Sequence, residues 1–524
     1  MPAQGHSSEY DFLVLGAGMG GLTVASLLAR AGHRVCVLEA HEHPGGRAHS
    51  FRMGDYTFCA ATYYIFFCGE GEPVYNFLRK LGLHQHITFA RLDPEGYDHF
   101  RCPSAGLSFR IPNGLDKWQD RLIDRYPACR AALIGFFTVL DKLIREWQQM
   151  PFFFTWKDYL AAPFRHPNLL RYRSWTLQRC FDQFRLPAEV QTILSTQIGD
   201  LGLPPARVSL LAYTLFVRSY GLGAYYPTRH FKGFIDAVAG LIQAAPGSRI
   251  EYNAEVKAIR VASGRVTGVE TTDGRAFTGN IVISNMDPQT CVRLIGREQF
   301  PHRFLRKVDY RYSASSFTVY LGLRGIDLRE HGFGNWNVWH FPHLDVNRAY
   351  QAQVEEGDLA DPGLFLSTPT LLTPQGAGDV CPEDGQILQA ATGCACEPFH
   401  ELRKRDPEMS QQRERAVTER ILDILEAHYV PGLRRHIVCQ ATGSPMTTVC
   451  YPGAPEGNNY GSELSPANVN FSRLKFKTPL SNLYFTGASA EYPSVGMTVV
   501  GGCRLYTHLT GDSVNPGWDL YGLL

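Results

Sequence analysis

The sequence predicts an α/β protein, α+β over its full length, from three observations. Tyr10–Glu39 reads as an apolar strand, a glycine-rich turn, an Ala/Leu-rich helix and a second strand that ends in an acid. Residues 225–300 return to short strands with apolar and polar alternation, broken by turn residues. Residues 481–508 give a last strand, a glycine turn and a helix. Strands that alternate with helices in this way give a Rossmann-like nucleotide-binding domain. One domain is therefore expected to be assembled from discontinuous segments, with a mixed sheet-and-helix domain built from the stretches between them.

The opening unit carries the clearest chemistry. Gly16, Gly18 and Gly21 stand at G-x-G-x-x-G spacing, with Ala17, Met19 and Gly20 between them. Gly16 permits a tight turn, Gly18 lets the backbone approach a pyrophosphate, and Gly21 lets the helix pack on the strand. The helix N-terminus offers unpaired N–H groups to the anion. Glu39 follows Gly16 by 23 residues, where a carboxylate accepts bonds from ribose hydroxyls. These features make a Rossmann-like dinucleotide site. Pro44-Gly45-Gly46-Arg47 comes a few residues later, and its glycines imply a second close backbone approach. A Gly-Gly-Arg turn in this position points to the FAD pyrophosphate, with Arg47 offering a charge-assisted contact to phosphate.

Composition narrows the class. The 524 residues suffice for about two to four domain-sized units. With 44% hydrophobic residues, 19% charged residues and a net charge of +1, the chain has neither the signature of disorder nor the basic surplus that a nucleic-acid partner needs. Its 13 cysteines are odd in number and scattered, so a reducing compartment, the cytoplasm, is expected rather than a disulfide framework. Cys394 and Cys396, and the histidines at 41, 43, 84 and 86, lack partners at ligand spacing, so no metal is expected. Met1–Ser8 is short and polar and runs straight into the first strand, so no secretory signal is expected.

No window reaches the uninterrupted apolar run of about 18 residues that a membrane span requires. Leu133–Leu140, Leu143, Ile144 and Trp147 are interrupted by Asp141, Lys142, Arg145 and Glu146 at helical spacing. The spacing predicts an amphipathic helix that ends before Pro151, followed by an aromatic cluster through Trp156. Such a surface can rest peripherally on a membrane interface. Packing onto the protein's own substrate domain is the favoured expectation, since one-sided helices are common in soluble domains.

Further along, Ala224–Pro227 is expected as a strand, with Lys232-Gly233-Phe234 leading into a helix through Gln243. Arg249–Val261 alternates like a single strand, Gly264-Arg265 and Asp273-Gly274 mark two hairpin-like turns, and Asn280–Asn285 is a short buried strand. Ser481–Ala488 forms a strand that emerges at a glycine turn, and Gly496–Gly502 opens a last helix through His508. N–H groups at that helix start can stabilise negative charge on a ring placed against them. The expected division is 1–100, 225–300 and 437–524 for the nucleotide domain. The substrate domain takes 101–224 and 301–436.

Over nearly its whole length the chain resembles the phytoene desaturase, carotenoid isomerase and retinol saturase family of FAD-dependent oxidoreductases. The likeness is carried by Gly16–Leu22, Gly45–Arg47, Tyr226-Pro227 before Gly233, Val282–Asn285 and Asn482–Gly487. Gly443–Thr447, with Ala454–Gly457 and Asn459-Tyr460-Gly461, is most similar to the retinol saturase and carotenoid isomerase branch. The resemblance implies that Gly16–Gly21, Glu39, Ala40, Gly46, Arg47 and Val256 hold the adenine half of FAD. It implies that Ala61, Thr62 and Tyr63 turn beside the flavin ring. Gly487 and Ala488, with Met497 and Thr498, would hold the ribityl and pyrimidine parts. One departure is Ala488, which stands where many members carry an acid.

The family acts on carbon–carbon double bonds of apolar conjugated isoprenoids, with a hydride passing at flavin N5, so saturation, desaturation and isomerisation all remain open here. The cofactor carries the hard chemistry. No Ser/His/Asp or paired-carboxylate spacing singles out a catalytic residue. Gly221-Leu222-Gly223 and Gly332-Phe333-Gly334 lack a third glycine and a strand–helix context, so an external electron donor or acceptor is expected instead of a bound nicotinamide. Two other readings share the same nucleotide fold: an amine-oxidase-like flavoenzyme, and a flavin-containing protein that binds an isoprenoid without changing it. The oligomeric state does not follow from the sequence.

Overall fold

The computed structural model describes residues 9–150, 155–451, 453–469 and 472–515. Its central element is a five-stranded parallel sheet in the order Leu483–Phe485, Gly279–Ser284, Tyr10–Leu15, Val35–Leu38, Arg249–Glu251. Three segments remote in sequence thus meet in one sheet. The middle strands are apolar runs because both faces are covered: Leu13, Val14, Leu15 and Val35–Leu38 are all buried. On one face lies the helix Met19–Arg30, buried on every side except at Arg30, packed between the helices His230–Ala244 and Val495–Thr510. On the other lie an antiparallel meander, Val256–Ala262, Arg265–Thr271 and Ala276–Phe277, and the helix Pro288–Ile295.

The strand expected over Arg249–Val261 is two strands in two sheets. Arg249–Glu251 pairs in parallel with Val35–Leu38, while Val256–Ala262 opens the meander. Asn253 lies between them at φ +52°, a left-handed conformation that asparagine tolerates better than most residues. The chain turns there.

A second sheet of seven strands runs in the order Ile437–Gly443, Ser315–Arg324, Gly385–Cys394, Leu364–Ser367, Asn337–His340, Asp98–Cys102, Leu107–Ile111. Every pairing is antiparallel except that of Asn337–His340 with Asp98–Cys102. Asp98–Cys102 and Ile437–Gly443 therefore join this sheet, not the parallel one. Strand alternation gives it two different faces. Phe317, Val319, Leu321 and Leu323 pack with Ile421, Leu422 and Leu425 of the helix Pro407–His428. Thr318, Trp339 and Phe365 point the other way, towards the turn after Cys59.

The helices between Leu115 and Leu222 form a layer beyond that turn. The amphipathic helix expected before Pro151 is Arg130–Trp147, and its apolar face, including Phe136, Leu140, Leu143 and Trp147, is buried in the protein's own core. Pro151–Phe154 of the aromatic cluster lies outside the described residues. The next helix, Trp156–Arg165, begins with a capping box in which Thr155 and Asp158 satisfy each other's orphan groups. It leaves Trp156, Leu160 and Phe164 exposed by 68%, 67% and 87%. No described helix is long and apolar enough to cross a membrane.

Gly21 fixes how closely the first helix approaches the first strand. A Cβ there would stand 2.2 Å from the Gly16 carbonyl oxygen, which is backbone and cannot move aside. Gly21→Ala should therefore cost about 3 kcal/mol of stability. Gly240→Ala, in a helix with nothing within 4 Å of the added carbon, should instead gain up to about 1 kcal/mol. Denaturant midpoints of the two variants check the contrast.

Candidate active site

At the carboxyl ends of the parallel strands, glycines from two segments converge on one side chain, and a glycine pair from a third packs on the first of them. Asn285 follows the strand Gly279–Ser284, and its N–H donates to the Leu15 carbonyl at 2.8 Å. A Cβ on Gly18 would lie 2.6 Å from Asn285 Nδ2, and one on Gly20 or Gly487 would lie 2.8 Å from its Oδ1. The Gly45 N–H donates to Ala17 O at 2.8 Å, and a Cβ on Gly46 would sit 3.1 Å from the Gly18 Cα. Gly16, Gly45, Gly46 and Gly487 all have positive φ. Met19 opens the helix. Together they form a backbone cradle closed to side chains, of the kind a pyrophosphate requires.

The polar groups around it fit that anion. Arg47 is half-buried, its Nη1 donates to Asn459 Oδ1 at 3.1 Å, and its buried Nη2 has no hydrogen-bond partner. Burial pushes this guanidinium down to about 10, still protonated at neutral pH. A cation with a buried, unused donor calls for an anion. Glu39 is buried at the end of Val35–Leu38, where it accepts from the Ala17 N–H at 2.6 Å and the His41 N–H at 3.1 Å. Burial pushes its carboxyl up while those N–H groups pull it down. Ala40 is exposed beside it, and Val256 begins the meander opposite Thr271.

Two cavities adjoin this cradle and share Ala61, Tyr63, Asp200 and Tyr460 in their walls. The first runs between the seven-stranded sheet and the loop after Ile198, past Trp339, Phe365 and Ala391, and reaches Arg47. The second passes Thr62, Phe216 and Tyr220 to Ser494, Val495 and Met497 at the start of the last helix. Their surfaces are mostly apolar. The turn Ala61–Tyr63 is held from below by the sheet: Tyr320 OH donates to Ala60 O, and Tyr63 OH lies 3.3 Å from Thr318 Oγ1. Ser494 Oγ caps the helix through the Met497 N–H at 3.1 Å, and Thr498 Oγ1 donates back to Ser494 O. Ala488 O accepts from Arg473, while the nearest acid, Glu491, is buried and paired with Arg504 at 2.9 Å. The structure thus gathers Ala61, Thr62, Tyr63 and Met497 around one cavity, with Gly487 at the cradle's edge.

Two carboxyls that no sequence spacing connects meet at this seam. Tyr64 OH lies 2.8 Å from Asp200 Oδ2 and 3.2 Å from Asp98 Oδ2, and Gln197 Nε2 donates to Asp98 Oδ2 at 2.7 Å. Tyr64 stacks on Tyr220 with centroids 4.4 Å apart. Burial pushes Asp98 up to about 8, with the neighbouring Asp200 charge adding to it, and pushes Asp200 up to about 7 against the pull of the Tyr64 hydroxyl. Asp98 carries a signal in the sequence: it shares strand parity with the apolar Phe100 and Cys102. Asp200 carries none.

The chain matches the model of the family described as flavin-containing amine oxidoreductases over residues 19–500. Prolycopene isomerase of Daucus carota is 26% identical, over 95% of this chain and 79% of the relative. All-trans-retinol 13,14-reductase of Danio rerio is 24% identical, over 91% and 82%. The lycopene-forming phytoene desaturase of Pseudescherichia vulneris is 24% identical, over 93% and 95%. A putrescine oxidase structure superposes with a TM-score of 0.66 at 16% identity, covering 96% of this chain and 99% of that one, which shows the shared fold. A match over residues 19–500, most of the chain, decides the assignment: the chain belongs to the flavin-containing amine oxidoreductases, a family of enzymes, and its cofactor is FAD.

Proposed function

We propose that this enzyme acts on carbon–carbon double bonds of an apolar conjugated polyene of the carotenoid or retinoid type. The observation that carries the reading is the pair of adjoining cavities, walled largely by aromatic and aliphatic side chains, that meet at the turn Ala61–Tyr63 and end at the last helix. An extended apolar substrate needs such a passage, and a small polar amine does not. The relatives named for lycopene, retinol and phytoene chemistry support the same reading.

In this reading Gly16–Gly21, Gly46 and Arg47 bind the pyrophosphate, Glu39 and Ala40 with Val256 border the adenosine, and Gly487, Ala488, Met497 and Thr498 hold the ribityl and pyrimidine parts. Bound FAD supplies two-electron chemistry, with hydride exchange at N5. The chain itself lines the substrate with Tyr63, Trp339 and Phe365, excludes water, and sets the polyene against the start of the last helix. The nucleotide domain keeps the segments 1–97, 225–300 and 444–524, with the strands Asp98–Cys102 and Ile437–Gly443 assigned to the substrate domain.

The exposed stripe Trp156, Leu160 and Phe164 recurs every four residues on one helix face, flanked by Lys157 and Arg165. It supplies a peripheral contact with a membrane interface, where apolar polyenes are dissolved.

Three outcomes test these assignments. Arg47→Leu should weaken FAD binding about 10- to 100-fold in a fluorescence titration of the apoprotein, since a charge-assisted bond to phosphate is lost. Anaerobic incubation of the flavin-loaded enzyme with carotenoids and retinoids, read by flavin absorbance and by mass analysis of recovered lipids, should show a polyene changed by two hydrogens or in geometry alone. Inactivity on every polyene with turnover of an amine overturns the substrate assignment. Serine at positions 156, 160 and 164 together should lower co-sedimentation with anionic vesicles by at least about tenfold, given the apolar area removed.

A further inference from the structure

Asp200 is the carboxyl that both cavities expose, and what surrounds it limits what it can do. It sits in the single-turn helix Ile198–Leu201, and its Oδ1 accepts no hydrogen bond among the described residues. Its Oδ2 shares the Tyr64 hydroxyl with Asp98. A phenol has one hydrogen and can donate to one of them at a time. Among the described residues neither carboxyl makes an ion pair: Arg47 shares the first cavity's wall with Asp200, and the titratable groups acting on the pair are the phenols of Tyr63, Tyr64, Tyr97, Tyr220 and Tyr460, all pushed up by burial and neutral. Two like charges in this enclosure would be left without compensation. The pair resolves this by keeping a proton, as paired carboxyls do.

We propose that Asp200 is the catalytic acid and base of the cavity, holding a proton at its carboxyl, handing it to a carbon of a conjugated chain lodged there, and taking it back. The proposal rests on the polyene reading above. In the forward step the Asp200 O–H bond breaks and its electron pair stays on oxygen. The π pair of one double bond forms the new C–H bond, and the positive charge left on the chain spreads along its conjugation. Rotation about the weakened bonds and return of the proton restore the double bond in a new geometry, with no net change in electrons. Asp98, Tyr64 and Gln197 are positioning residues: Tyr64 turns its hydroxyl to whichever carboxyl is ionised, and Gln197 anchors Asp98. The stacked Tyr220 fixes the Tyr64 ring.

Infrared difference spectra of the purified flavin-loaded protein between about pH 5 and about pH 9 should contain a carboxylic-acid carbonyl band that titrates near neutrality. Asp200→Asn should remove the Asp200 component of that band and leave the Asp98 one, and Tyr64→Phe, which keeps the ring stack, should move its midpoint. In D2O, a polyene incubated with the wild-type protein and recovered should carry deuterium at a chain carbon. Asp200→Asn should still bind the polyene, as read by its absorption shift, yet lose at least about 100-fold of the label. Asp98→Asn should keep the label, because Asp98 positions the Tyr64 hydroxyl and does not itself transfer the proton. A spectrum without the band, or an Asp200→Asn protein that binds polyene and labels it within about threefold of wild type, overturns the proposal. If no carotenoid or retinoid shifts the spectrum of the wild-type protein, the substrate reading fails and the polyene carbon with it, while the infrared band still decides whether Asp200 holds a proton.

Discussion

Close backbone approach at the carboxyl edge of the parallel sheet is the constraint from which the rest of this structure follows. Gly18, Gly20, Gly21 and Gly487 all stand where an added Cβ would collide with Asn285 or with backbone. The segments that supply them begin near residues 16, 285 and 487, so the sheet must pair strands from both ends of the chain before the cradle exists. That requirement makes the domain discontinuous and places the intervening residues outside it. The last helix obeys the same rule. Gly502 lets it cross the first helix, since a Cβ there would lie 2.7 Å from Thr23 Cβ, and the crossing brings Ser494 and Met497 to the cavity.

The seven-stranded sheet solves a different problem with strand alternation. One face must bury aliphatic side chains under the helix Pro407–His428, and the other must leave room for a ligand. Because parity is fixed along each strand, Phe317 and Val319 serve the core while Thr318 and Tyr320 brace the turn Ala60–Tyr63. The turn Ala61–Tyr63 is therefore positioned by the seven-stranded sheet. A shift of one residue in that register would move both functions at once.

How much of this was legible in the sequence depends on how local each feature is. The glycine turn at 16–21, the turn at 45–47 and the last helix are short-range patterns, and the strands and helices expected there are present. Family, fold class, cofactor and the polyene-enzyme relatives follow from the same motifs. Strand breaks are harder: Arg249–Val256 alternates across the break, and only Asn253 hints at the turn that sends the two halves to different sheets. The carboxyl pair is harder still. Asp98 betrays itself by parity with Phe100 and Cys102, but Asp200 reaches it through a tertiary fold, and absence of a recognisable spacing said nothing about proximity. Of the aromatic cluster through Trp156 that the sequence offers as a surface, Trp156 is described and exposed, and the stripe continues through Leu160 and Phe164 of the helix it opens, whose apolar residues every four positions resemble a core face.

Several buried carboxyls in this protein are compensated by the chain itself. Asp287 accepts from two helix N–H groups and from Tyr310 and Tyr312. Glu491 is paired with Arg504, and both Glu39 oxygens are bonded to backbone N–H groups. Each of these carboxyls has its compensation built in and needs no ligand for it, although Glu39 keeps lone pairs to spare for a ribose. Arg47 and Asp200 differ. One keeps a buried donor unused, the other an oxygen open to the cavity, and the two lie along the same passage. In the proposed reading an anion meets the unused donor of Arg47, and a substrate meets the open oxygen of Asp200.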